Sequence, residues 1–286
     1  MKTTTKLLVK SLSIGLLAVG GCIAPPPGSG AGPAPGSAAS IGGGNAAPAA
    51  APAAGEAAAA PAPSAPSAPS APAVAGAPIG NTGFKECSAE GLIDDGEDGN
   101  NQNMPNDNRG GYWYTFRDKK GTTIEPVAGE DGGTFAMSEG GHGSQFAARY
   151  HGKIGTGAPL FGGMGMNFVD PKAPYDASKY AGISFWAKKG SDNSTGKVRL
   201  KVPDMNTDPD GAVCTECFND FGADLNLTTE WKQYIFPWKS MKQMPGWGNP
   251  RKPHITQSKI YGVQFQVNIP SANYDIYIDD LKFICQ

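Results

Sequence analysis

Leu92-Ile-Asp-Asp-Gly-Glu-Asp-Gly99 and Tyr274-Asp-Ile-Tyr-Ile-Asp-Asp-Leu-Lys-Phe283 open and close the second part of this 286-residue chain. Both are short runs in which apolar and polar residues alternate, the pattern of a half-buried strand. Read together, they predict that the first and last strands of one domain lie side by side. Their carboxylates would then converge at one edge, where they could share a cation.

Four segments between them alternate in the same way: Gly182–Lys188, Lys197–Val202, Trp231–Trp238 and Ile260–Val267. β-Branched and aromatic residues are enriched in them, and Gly, Pro, Asn and Asp fill the intervals. No window sustains an apolar stripe at helical spacing. The expectation is all-β: a two-sheet antiparallel β-sandwich over residues 81–286, long enough for one sizeable core.

The preceding residues belong to other classes. Lys2, Lys6 and Lys10 flank the apolar run Leu7–Val19, too short to cross a bilayer and typical of a signal-peptide core. Leu17-Ala-Val-Gly-Gly-Cys22 resembles a bacterial lipobox, which implies cleavage after residue 21 and lipid on Cys22. Ile23 at the next position points, by the same resemblance, to the outer membrane or cell surface. Residues 22–80 are almost wholly Ala, Pro, Gly and Ser, with Glu56 as the one charge and a tandem repeat from Pro61 to Pro72. Such a composition has nothing to bury and is expected to be a disordered linker, spanning on the order of 50–150 Å.

Leaving out the three signal lysines and Glu56, the domain carries 24 − 3 = 21 basic and 26 − 1 = 25 acidic residues, a net −4. That balance, with no basic cluster, excludes nucleic acid as the expected partner and suits a neutral ligand. A monomer is expected.

Four cysteines remain beside Cys22: Cys87, Cys214, Cys217 and Cys285. In an oxidising compartment they read as disulfides, with three connectivities open. If the bookend strands are neighbours, Cys87 meets Cys285 and Cys214 pairs with Cys217. The first bridge would contribute about 4–5 kcal/mol in the chain-entropy model. Cys214-Thr-Glu-Cys217 as a redox motif lacks its βαβ setting, and zinc would require all four thiols together.

The motifs Ile93-Asp-Asp95 with Glu97-Asp98, Gly110-Gly-Tyr-Trp-Tyr114, and Tyr277-Ile-Asp-Asp-Leu-Lys-Phe283 carry a family resemblance. They resemble the jelly-roll carbohydrate-binding modules, family 11 and its galactose-binding-like relatives, over most of Ala89 to Phe283. The resemblance implies a jelly roll, non-catalytic binding of polysaccharide such as β-glucan, and a structural Ca²⁺ held by Glu97, Asp280 and Asp95. Gly96 stands where those modules usually carry an aromatic residue. The mitochondrial complex I assembly factor family shares a similar jelly roll, so a protein–protein module is the alternative reading.

A sugar offers apolar C–H faces to aromatic rings and hydroxyls to amides, carboxylates and guanidinium groups. Trp113, Tyr114 and Trp247, set among Gly, Pro and Asn, are the candidate stacking platforms. Trp186, Trp231 and Trp238 lie in strands and are assigned to the core. Gln264 and Gln266 oppose Val263, Phe265 and Val267 on one strand, Arg199 opposes Leu200 on another, and Arg149 lies on a strand over Ser144–His151. If these outward faces share one sheet, Arg149, Arg199, Gln264 and Gln266 form its polar floor.

Asp204–Gly211 imitates the front half of an EF-hand loop, but Cys217 stands where the bidentate Glu belongs, so it reads as an Asx-rich turn. No Glu-x-Asp-x-x-Glu strand motif and no Gly-x-Ser-x-Gly elbow occurs, and His142, His151 and His254 lack metal spacing. No catalysis is expected.

Overall fold

The structure, a computed structural model, describes residues 83–286. Cys22, the signal peptide and the linker lie outside the described residues. Thirteen strands, numbered in chain order, form two antiparallel sheets among the described residues. The larger contains β1 (Lys85–Glu86), β2 (Leu92–Asp94), β4 (Thr123–Glu125), β5 (Ser138–Glu139), β6 (Phe146–Lys153), β8 (Gly182–Lys189), β11 (Lys232–Pro237) and β13 (Asn273–Cys285). Its main order is β11-β8-β13-β6-β4, with β1 and β2 against β13 and β5 against β6. The smaller contains β3 (Trp113–Arg117), β7 (Gly162–Asn167), β9 (Lys197–Val202), β10 (Phe221–Asn226) and β12 (Gly262–Val267), in the order β10-β9-β12-β7-β3. The chain passes repeatedly between sheets, and the result is the expected jelly-roll sandwich.

The alternation in the sequence places the core. Ile183, Phe185 and Ala187 of β8, Leu200 and Val202 of β9, Val263, Phe265 and Val267 of β12, and Ile276 and Ile278 of β13 are buried in one cluster. Phe185 meets Phe265 across the interface edge-to-face at 5.0 Å, interlocking the two sheets. Each Ile, Val, Leu or Phe among them contributes about 1.5–3 kcal/mol through removal from water.

The bookends are neighbours. Asp94 of β2 lies opposite Leu281 of β13, Leu92 opposite Lys282, and Lys85 of β1 opposite Cys285. The register slips between Asp279 and Lys282, where Asp280 adopts φ 50°. Cys87 and Cys285 form a disulfide with their Cα atoms 5.3 Å apart, and Cys214 and Cys217 a second at 5.1 Å. Buried Arg109 completes the junction: its guanidinium donates to the carbonyls of Glu90 and Leu92 and to the Tyr175 hydroxyl, and lies over the Phe283 ring.

Candidate functional site: the outer face of the five-stranded sheet

In every strand of the smaller sheet the residues that alternate with the core positions face outward, and the register aligns them in rows. One row runs Gly222, Lys201, Gln264, Gly165 and Tyr114 from β10 to β3; the next runs Asp224, Arg199, Gln266, Gly163 and Phe116. Each row crosses five strands, about 20 Å.

At the β3 end the rows finish in aromatic rings. Tyr114 and Phe116 lie 6.1 Å apart, and Phe161 packs 6.2 Å from Phe116. Glycine on the adjacent β7 makes room for them. A Cβ on Gly165 would stand 2.7 Å from the Tyr114 hydroxyl, and one on Gly163 would stand 2.6 Å from the tip of Phe116. The rings therefore recline over β7 instead of standing away from it. Gln264 Nε2 donates to the Tyr114 hydroxyl at 3.0 Å. Burial pushes the Tyr114 phenol up to about 12, outweighing the opposing effect of that bond, so it stays protonated.

The middle of the face is charged but internally neutralised. Lys201 Nζ lies 3.0 Å from Asp220 and donates to Gln266 at 3.3 Å. Arg199 is paired with Asp224 at 2.9 Å and donates to the Lys242 carbonyl at 2.9 Å. Lys172, held by Asp208 at 2.7 Å and Asp210 at 3.0 Å, comes from a neighbouring loop. Its ammonium pKa is reduced by burial but raised more by those two carboxylates. What remains to bond a ligand is a set of amides, hydroxyls and paired cations beside aromatic carbon.

Trp247 lies in the loop past the β10 edge, which is bridged to the sheet through Gly222 and Lys242. Asn219 Nδ2 donates to the Trp247 carbonyl at 2.6 Å, and Gly248 N–H to Glu216 at 2.8 Å. Glu216 is also paired through its backbone with Asn249, so the Cys214–Cys217 loop grips the Trp247 loop. Trp247 itself is half-exposed.

Two residues expected on this floor are elsewhere. Trp113 is 3% exposed and faces the core, because β3 begins its alternation at that residue and turns Trp113 and Thr115 inward. Its ring stacks on Phe135 and its indole N–H donates to Asp94 at 2.5 Å, so it is no stacking platform. Arg149 belongs to β6 in the other sheet, where Asp275 accepts two of its hydrogen bonds at 2.8 and 3.0 Å. Trp238 is buried as expected, whereas Trp186 and Trp231 are half-exposed. Trp186 shares its parity with Lys188 and points outward from β8, and Trp231 precedes the first residue of β11. Lys201 lies beside Arg199 on the outward face, as its alternation with Leu200 and Val202 predicts; Asp220 and Phe116 are additional, and Phe116 was legible as an outward neighbour of Thr115.

The three expected Ca²⁺ ligands have separate occupations. Glu97 accepts the backbone N–H groups of Gln145 and Phe146 at the start of β6, Asp95 accepts that of Glu97, and Asp280 lies 3.1 Å from Lys282 and 3.5 Å from His142. Among the described residues no three His, Cys, Asp or Glu side chains gather at metal-holding distance, so the set does not fit the ion. In the Asp204–Gly211 loop, Asp204 accepts from Asn206 and Thr256, and Asp208 caps the short turn at Asp210. These are the turn roles expected of it.

No protein-family model and no curated protein sequence matches the chain. Several solved structures are similar to it. One is the family 11 carbohydrate-binding module of the cellulosomal cellulase Lic26A-Cel5E of Clostridium thermocellum: 14% identity, 61% of this chain and 88% of that one, TM-score 0.44. Another is the family 30 module of the cellulosomal cellulase Cel9D-Cel44B of Clostridium thermocellum: 12% identity, 61% and 91%, TM-score 0.44. A third is TmCBM61 in complex with β-1,4-galactotriose: 15% identity, 71% and 99%, TM-score 0.33.

Proposed function

We propose that the outer face of the five-stranded sheet binds a neutral polysaccharide, in the first instance a β-glucan, without catalysis. The chain would do so from a lipid anchor at Cys22, at the outer membrane or cell surface. The observation that carries this reading is the pair of aligned rows that end in reclined Tyr114 and Phe116. Aromatic carbon at one end takes the C–H face of a sugar ring, while Gln264, Gln266 and the paired Lys201 and Arg199 meet its hydroxyls. The internal pairing of both cations favours a neutral ligand, because an anion would have to compete with Asp220 and Asp224.

Affinity electrophoresis tests it, with β-glucans, xylan and mannan cast into native gels. At least one neutral glycan is expected to retard the chain, with Tyr114→Ala and Gln264→Ala each weakening retention about tenfold. Free migration in every neutral gel, with a protein recovered in pull-downs instead, would support the protein–protein alternative.

A further inference from the structure

The larger sheet carries a second aromatic surface on its own outer face, across the sandwich from the first. Trp186 and Lys188 project from β8, Tyr277 from β13, and Trp231 leads into β11; all are half-exposed. The register sets Tyr277 between Lys188 on one side and Arg149 on the other. Trp231 meets Tyr277 edge-on with ring centroids 6.3 Å apart. His142, from the loop between β5 and β6, stacks on Trp186 at 3.6 Å and approaches Trp231 at 5.8 Å.

Two cations lie against these rings, and they differ. Arg149, 4.8 Å from the centre of Tyr277, is bound by Asp275. Lys188 Nζ lies 4.8 Å from the centres of both Trp231 and Tyr277, and no carboxylate among the described residues pairs with it. In a chain of net charge −2, this ammonium is held between two rings and left to an outside anion.

We propose that this face is a binding site for an acidic polysaccharide, with a uronate carboxylate on Lys188 and the sugar's C–H face against Trp231 and Tyr277. A neutral glycan would leave the ammonium unused, and a small inorganic anion would leave the rings unused. A carboxylated pyranose engages both. The site is independent of the five-stranded face, so failure of either reading leaves the other standing.

Native gels containing polygalacturonate or alginate test it on the full chain, beside gels of dextran sulfate and of β-glucan. The native chain is expected to be retarded by at least one of the two uronate polymers. Lys188→Met and Trp231→Ala each weaken that retention about tenfold, and Lys188→Arg retains most of it. Gln264→Ala leaves it unchanged. Far-UV circular dichroism and melting confirm that Lys188→Met, on the outer face, is folded. Unretarded migration of the native chain in both uronate gels overturns the proposal, as does native-like retention of Lys188→Met. Equal retention in dextran sulfate overturns it too, as plain charge attraction, and so does binding of an acidic protein in place of the glycans.

Discussion

The Trp113 indole donates to Asp94 inside the core, and that bond joins the first bookend strand to the opposite sheet. Burial raises the Asp94 carboxyl from an ordinary 3.8 to about 6, with the Gly96 N–H and the Trp113 indole pulling the other way. Trp113→Phe keeps most of the packing and removes the donor. It is expected to cost about 1–3 kcal/mol in urea unfolding while leaving retention on β-glucan unaltered. A variant of native stability that no longer binds glycan would restore Trp113 to the sugar site. The role of this residue was hidden in the sequence because Gly110-Gly-Tyr-Trp reads as a loop. Only the register of β3 against β7, with Trp113 opposite Met166, decides that the indole turns inward. Trp186 is the opposite case: its parity with Ser184 and Lys188 was already in the sequence, and residue type misled where alternation was right.

β7 is a strand of small residues on one side and methionines on the other, Gly163 and Gly165 outward against buried Met164 and Met166. Glycine weakens a strand, and here its use is close approach. The atoms a Cβ on Gly165 would crowd are side-chain atoms of Tyr114 and Gln264, so Gly165→Ala displaces the ring without touching the ladder. The expected result is about tenfold weaker retention on neutral glycan with a stability loss of about 1 kcal/mol or less. Equal retention by the variant would show that Tyr114 binds without reclining. Strands as elements were legible from their alternation, and the rows of the smaller sheet followed from it in part. The division of Arg149 from Arg199, Gln264 and Gln266 was not, since both strands alternate alike and sheet membership is set by non-local pairing.

The whole sandwich is closed covalently at its start and end. The Cys87–Cys285 bridge spans 198 residues and Cys214–Cys217 only three, so in the chain-entropy model their contributions are about 5 and about 2 kcal/mol. The paired Cys87→Ser, Cys285→Ser variant is therefore expected to lower the urea midpoint markedly. Cys214→Ser, Cys217→Ser should lower it much less and act mainly on Trp247, whose loop Glu216 holds. Comparable midpoints for the two pairs would contradict the model. The clasp was foreseeable once the acidic bookends were read as neighbours; the recruitment of Glu97 to the backbone at the start of β6 was not, because it depends on a non-local contact.

The clasp also sets the route of mechanical load. Tension arriving through the residues before Lys85 meets β1, a two-residue strand whose hydrogen bonds alone would yield early. The sulfur bridge at Cys87 hands that force on to Cys285, the last residue of β13, which is flanked by paired strands on both sides. Such a pull is thus borne by β13, the longest strand of the larger sheet, rather than by the short β1 ladder.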